Sequence, residues 1–258
     1  MNKVHVWGIK IHITTLQRVI ELIDNNITNN KSKNCIHITG VNAETIADIY
    51  SNSFNSKAIN KSDIVIIDGF PVLIALRLYG YNVPSRITCP DLFEALMIKA
   101  NNEKQSVFFF GAEETVITNL VSNVKNEYPN IIICGYQNGY DYDEEQLVYE
   151  ISELSPTYLF LGVPSYIRDA FLMKNKDKLN VNLCLGIGGM FDVLGGKVKR
   201  APKGFQSIGL ESLYRIIQVP SNYGKRFVKK FPLFIIMFFK GFFNNYLEDD
   251  INFNNIES

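Results

Sequence analysis

Glycines at 186, 188 and 189 follow directly on an apolar run from Val181 to Leu185, and Lys197, Lys199, Arg200 and Lys203 come soon after. Bare backbone amides can approach a ligand closely, and clustered cations neutralise negative charge, so this stretch suits a diphosphate. Asp68 ends a second apolar run, Asp63 to Ile67, beside Gly69 and ahead of Pro71. A carboxylate there could act as a general base or serve as a turn or cap residue, and the residue types leave both open. Asn42 follows a third run, Cys35 to Thr39, and could hold a sugar hydroxyl, although capping the next helix is the stronger reading of an asparagine taken alone. Arg86, five residues before Asp91, could reach a phosphate or a carboxylate, or be an ordinary surface arginine.

Two further patterns carry less. Asp141-Tyr142-Asp143 imitates a metal-binding DxD motif, but it follows Asn138-Gly139 and leads into Glu144-Glu145, the acidic start of a helix, so capping and solvation account for it. The 186–189 glycines resemble a dinucleotide fingerprint, yet its sixth position is Phe191 and the cluster lies late in the chain, which argues against an NAD domain. His5, His12 and His37 have no ligand-like spacing, so no metal is expected.

These residues must be held by something regular. Short runs rich in β-branched and aromatic residues at Val4 to Ile9, Cys35 to Thr39, Asp63 to Ile67, Ser106 to Phe110, Ile131 to Cys134, Tyr158 to Leu161 and Val181 to Leu185 read as buried parallel strands. Helical patterns lie between them, at Thr15 to Asn26, Asn42 to Ser51, Pro71 to Tyr79, Pro90 to Asn101, Glu113 to Glu127, Glu144 to Glu153 and Ser165 to Lys176. The alternation predicts a doubly wound, Rossmann-like α/β fold, a mostly parallel sheet flanked by helices. Ligands in such folds sit beyond the carboxyl ends of the strands, which is where Asn42, Asp68 and the glycines fall.

The chain has 258 residues, 47% of them apolar, enough for a substantial core. Its 26 basic and 26 acidic residues cancel, so the molecule as a whole has no electrostatic reason to seek nucleic acid. Cys35, Cys89, Cys134 and Cys184 form no CxxC pair and mostly sit in apolar runs, which suits reduced core thiols in a cytosol. The start of the sequence lacks a basic region followed by a sustained apolar stretch, so no signal peptide is expected.

The end of the chain is different. From Ser221 to Gly241, Lys225, Arg226, Lys229, Lys230 and Lys240 are interleaved with Phe, Leu, Ile and Met and with no acid. The apolar centre, Phe231 to Phe239, is short of the ~20 residues a spanning helix needs, so the segment is expected to lie in an anionic membrane interface. The competing reading is a terminal helix packed on the core or on another subunit. The expected organisation is an α/β catalytic domain over residues 1–205 and a helical, membrane-binding appendage over 206–258, its Asn-rich end frayed from Asn244.

Taken together, Asn42-Ala43-Glu44, Ile67-Asp68-Gly69, Arg86-Ile87-Thr88 with Pro90-Asp91-Leu92, Phe110-Gly111, Gly189 with Phe191-Asp192, Gly196-Lys197, Arg200-Ala201-Pro202 and Gly209-Leu210-Glu211 with Leu213-Tyr214-Arg215 resemble the WecG/TagA/CpsF family of bacterial glycosyltransferases over nearly the whole chain. The resemblance implies an inverting transfer, without a metal or other cofactor, from a UDP-sugar donor to a polyprenyl-diphosphate-linked saccharide. The sugar is N-acetylmannosamine-like, a uronic acid or a hexose, and the pathways are those of teichoic acid or exopolysaccharide. It further implies a cytoplasmic protein, peripheral on the inner face of the cell membrane, with a homo-oligomer to be tested.

On this resemblance Asp68 matches the catalytic aspartate, taking the proton of the acceptor hydroxyl. Asn42 and Arg86 match pocket positions, Thr39, beside the family's threonine position at Gly40, is a further substrate-binding candidate, and Asp192 with Gly188 and Gly189 matches the part that holds the uridine nucleotide. Arg200 serves the diphosphate or locks its loop, and Arg215 and Arg226 are further candidates for the diphosphate. Glu211 and Arg215 also stand four apart, the spacing of an intrahelical ion pair. The sequence departs from the family pattern at Ser165-Tyr166-Ile167, where Tyr166 replaces a glutamine near the sugar, at Gly40, where a threonine is common, and at Ser212 in place of a tryptophan. The first departure bears on which sugar is used more than on the reaction, and it keeps open a non-catalytic UDP-sugar-binding, membrane-associated protein. A metal-dependent transferase using Asp141 and Asp143 is the other alternative.

Overall fold

The computed structural model describes residues 1–29, 35–207 and 209–254. The chain runs β1 (Asn2–Val6), β2 (Ile9–Ile13), α1 (Leu16–Asn29), β3 (Ile36–Val41), α2 (Ala43–Ser51), α3 (Ser53–Asn60), β4 (Ile64–Ile67), α4 (Phe70–Leu78), α5 (Cys89–Glu103), β5 (Ser106–Gly111) and α6 (Glu114–Glu127). It continues with β6 (Ile132–Gln137), α7 (Glu144–Leu154), β7 (Tyr158–Gly162), α8 (Ser165–Asn175), β8 (Leu183–Gly186), α9 (Met190–Leu194), α10 (Lys203–Ser207), α11 (Glu211–Gln218), a π turn (Pro220–Gly224) and α12 (Lys225–Asn254).

Six strands form one parallel sheet in the order β4-β3-β8-β7-β5-β6. Alternation along each strand divides the core. Ile38, Ile66, Leu185, Phe109 and Phe160 face α1, α5, α6 and α9, whereas Val41, Val65 and Ile67 face α2, α4 and α12, and Phe110, Leu161 and Cys184 face α7 and α8. Each such large side chain taken out of water contributes about 1.5–3 kcal/mol before chain entropy is counted. Neighbouring strands β3 and β8 therefore send their following helices, α2 and α9, to opposite faces, and the crevice beyond their carboxyl ends is the topological switch point.

The first strand is a correction. Val4 to Ile9 is not a buried parallel strand. The chain reverses at Trp7 and Gly8, both at positive φ (58° and 75°), and β1 pairs with β2 as a separate antiparallel hairpin. A tryptophan in that conformation is held by tertiary contacts: its indole N–H donates to the Met237 carbonyl at 2.9 Å, and its ring packs edge-on against Tyr79 and Phe234. The hairpin lies along the sheet edge, where His12 Nδ1 accepts the Val65 N–H at 3.0 Å.

His12 must be neutral at that nitrogen to accept. Burial first, then Lys3 and Lys10, pull its pKa from 6.5 down to about 4. The unfolded chain therefore binds this proton before the folded one does. Stability from His12 is present above about pH 6.5 and is lost as pH falls toward 4. The drop in melting temperature between pH 7 and pH 5 should be smaller in His12→Asn than in wild type, measured by calorimetry, and equal drops would contradict this role.

α12 doubles back onto the body of the protein. Phe234 and Met237 are buried against the hairpin and α4, the Tyr79 hydroxyl donates to the Phe238 carbonyl, and Arg226 and Lys230 pair with Glu44 and Asp48 of α2. The Asn-rich end expected to fray from Asn244 has helical backbone to Asn254, and residues 255–258 of that end lie outside the described residues. Among the described residues no helix is long and apolar enough to cross a membrane.

Candidate active site

Asp68 is the first residue past β4. Its N–H still donates to the Val41 carbonyl at 3.0 Å, which fixes it against the end of β3. Its side chain lies at the start of α5, a helix whose first turn has backbone N–H groups without intrahelical partners. One of them, on Cys89, donates to Asp68 Oδ1 at 2.7 Å, while Thr88 Oγ1 caps the same helix through the Asp91 N–H at 3.0 Å. The other carboxylate oxygen accepts a longer bond, 3.4 Å, from Asn42 Nδ2.

Asn42 is thus a cap and a site residue at once. Its Oδ1 accepts the N–H groups of Glu44 and Thr45 at 3.0 and 3.1 Å and the Thr45 hydroxyl at 3.2 Å, which leaves the amide nitrogen turned toward Asp68. Burial raises the Asp68 pKa above the ordinary carboxylate value, opposed by the bonds from Cys89 and Asn42 and by the charge of Arg86, and assisted by Glu211. A carboxylate made more basic yet still hydrogen-bonded in a fixed orientation is suited to accepting a proton.

The departure at Gly40 has a steric cause. A Cβ at this position would lie 2.3 Å from Cys89 Sγ and 2.9 Å from Asp68 Cβ, so the thiol occupies the space that a threonine would need.

Across the crevice, β8 ends at Gly186. Gly188 follows at φ +47° with open space where a side chain would point. Gly189 is covered: a Cβ there would be 2.7 Å from Arg215 Nη1. Arg215 also pairs with Glu211 at 3.0 Å, as the four-residue spacing predicts, and both side chains are largely buried. The Asp192 carboxylate accepts a bond from the Tyr223 hydroxyl at 3.0 Å. Gly188, Gly189, Asp192 and Arg215 therefore do converge, with the last supplied from the segment after the sheet.

The other sequence candidates are placed elsewhere or occupied. Thr39 is fully buried within β3, bonded to His37 Nε2 and Ser62 Oγ at 2.9 Å each, and does not reach the strand-end crevice. Arg86 is a clamp, donating to the Asp68 carbonyl at 3.1 Å and to the Gln206 carbonyl at 2.7 Å, so it ties the Asp68 turn to α10. Arg200 is paired with Glu94 at 2.7 Å and Asp91 at 3.1 Å, the loop-locking option of the two left open by the sequence. Arg226 donates through Nε to Glu44 at 2.8 Å, on the face of α2. Tyr166 is 63% exposed on the first turn of α8, beyond the end of β7. Asp143 caps α7 through the Gln146 N–H, and Asp141 sits in a turn fastened by Asn138 and Gln137, which is the capping reading of the DxD pattern.

Three participants were not singled out from the sequence. The Cys89 amide carries no side-chain signal at all. Tyr223 falls inside the cationic, apolar 221–241 segment, although a tyrosine between Pro220 and Gly224 at the end of a helix marks a turn that can aim it. Arg168 is buried, with Nε 2.7 Å from Asp169 Oδ1, and its guanidinium fills the space beside Gly186. An adjacent Arg-Asp pair inside a helix reads as solvated charge, so nothing pointed to it.

The family model described as glycosyl transferase WecG/TagA/CpsF family matches residues 4–247. A Bacillus spizizenii protein named N-acetylglucosaminyldiphosphoundecaprenol N-acetyl-beta-D-mannosaminyltransferase is 32% identical over 186 residues, 72% of each chain. Proteins of the same name are 34% identical over 162 residues in Bacillus subtilis, 63% of each chain, and 25% identical over 233 residues in Staphylococcus aureus, 90% of this chain and 91% of that one.

Proposed function

This chain belongs to the WecG/TagA/CpsF glycosyl transferase family, and from that premise we propose that it moves an N-acetylmannosamine-like sugar from a UDP donor to a polyprenyl-diphosphate-linked N-acetylglucosamine. The acceptor and the sugar are those in the names of the relatives. The observation that carries the reading is the Asp68 carboxylate, held at the switch point by the Cys89 amide and Asn42 and made more basic by burial.

The chemistry is a single displacement. The acceptor hydroxyl attacks the anomeric carbon on the face opposite the diphosphate, Asp68 takes the hydroxyl proton, and the bond to UDP breaks with inversion. Negative charge grows on the leaving diphosphate, and the groups nearest to hand for it are the 188–189 backbone and the Arg215 guanidinium over Gly189. Asp192 receives the nucleoside. No metal takes part in this scheme.

The acceptor is a lipid, and α12 supplies a surface for it. Val228, Ile235, Ile236, Phe239 and Phe243 are exposed on α12, on the same helix as Lys225, Lys229 and Lys240. An apolar face with cations beside it favours lying in an anionic interface, peripherally on the cytoplasmic side where the UDP-sugar is available. The test is UDP release with a short-chain lipid-diphosphate-GlcNAc acceptor in the presence of EDTA. Acceptor-dependent release that persists supports the reading. Release abolished by EDTA and restored by a divalent cation would replace it with a metal-dependent transferase.

A further inference from the structure

Tyr223 stands where the segment after the sheet meets the glycine turn. Chain geometry brings it there: α11 ends at Gln218, Pro220 opens the π turn, and the turn aims the phenol back at the start of α9. π-helical turns are often found at functional sites. The hydroxyl lies 3.0 Å from Asp192 Oδ2 and 3.4 Å from the position of a Cβ on Gly189, next to Arg215 Nη1. Four groups from two parts of the chain thus meet at one point, and the Tyr223 bond orients the carboxylate through Oδ2.

We propose that Tyr223 is the positioning residue of the nucleotide pocket: its hydroxyl holds the Asp192 carboxylate in the orientation that receives the ribose hydroxyls of a uridine diphosphate ligand. This rests on the function proposed above. A carboxylate that accepts from a phenol at one oxygen keeps the other for a vicinal diol, the usual partner of an acidic residue in a dinucleotide or nucleotide pocket. Burial and the neighbouring Asp192 charge keep the phenol protonated, hence a donor. The pocket is then complete only when the 211–224 segment is docked, so nucleotide affinity reports that docking.

The bland alternative is a structural latch that pins α12 to the body. The two separate in Tyr223→Phe, which removes the hydroxyl and keeps the ring. The expected result is a rise of about tenfold in the UDP dissociation constant and in the donor KM, the worth of one hydrogen bond to a charged group, with the acceptor KM unchanged. In addition, Tyr223→Phe in an Asp192→Asn background should weaken UDP no further, because the tyrosine acts through the carboxylate. Titration calorimetry with UDP on the full chain, alongside steady-state kinetics, reads both. Unchanged UDP affinity in Tyr223→Phe, or additive losses in the double variant, overturns the assignment of Tyr223 alone. A wild-type protein that binds no uridine nucleotide overturns the reading of the site itself, and the two failures are told apart in the wild-type titration.

Discussion

Asp68→Asn should lower turnover by about 10²–10⁴-fold, the usual contribution of a positioned general base, while leaving UDP affinity nearly unchanged. The substitution is well suited to the question. The amide keeps an oxygen for the Cys89 N–H and removes a negative charge whose burial already raises its pKa, so folding is not the property at risk. Its nitrogen does face the Asn42 amide nitrogen, and Asn42 cannot rotate without releasing the cap of α2, so a small fall in melting temperature is expected alongside the large fall in rate. The pH profile carries a second sign. The base works ionised, and burial raises its pKa, so kcat/KM should fall as pH drops through a value above the ordinary carboxylate range and level off above it. Turnover in Asp68→Asn within a few-fold of wild type would remove Asp68 from the chemistry.

The second large effect concerns the two faces of α12. Ile236 and Phe239 are 42% and 52% exposed, whereas Phe234 is 3% exposed against the hairpin and α4. Replacing Ile236 and Phe239 together by serine should cut binding to anionic vesicles by at least about 100-fold, since each side chain buried in the interface is worth about 1.5–3 kcal/mol. Melting temperature and turnover on a short-chain acceptor should hold. Phe234→Ala should do the reverse, costing about 3–5 kcal/mol of stability through the cavity it leaves. Vesicle binding that survives the serine pair would return α12 to the role of a packing helix or a subunit contact. The inner face already shows such packing, and the vesicle experiment decides what the outer face meets.

Much of the scaffold was legible because its signals are local. Six of the seven expected strands are strands of the parallel sheet, since β-branched and aromatic runs between helical patterns have few other outcomes. The seventh failed because Trp7 takes a conformation that sequence propensity assigns to glycine or asparagine, and what holds it there is the Met237 carbonyl, far away in the chain. The short α3, α9 and α10 carried too few residues for a period to show.

The site was legible in part, for the same reason. Asn42, Asp68 and the 188–189 glycines sit at strand ends, and strand ends can be read from a pattern. The arginines could not be apportioned that way. Arg86, Arg200 and Arg226 are ordinary cations in sequence, and only the fold shows that their partners are the Gln206 carbonyl, Glu94 and Glu44, while Arg215 lies on Gly189. The Cys89 amide depends on backbone geometry, to which residue identity contributes little, and the turn that Pro220 and Gly224 mark does not by itself show where Tyr223 is aimed.

The most direct test of a single displacement at Asp68 is the anomeric configuration of the product, read by NMR of the disaccharide released from the lipid after reaction with an α-linked UDP-sugar. A β-linked product formed by wild type, and nearly lost in Asp68→Asn, is the result this mechanism predicts. An α-linked product would mean retention, and would contradict the attack opposite the diphosphate on which the assignment of Asp68 depends.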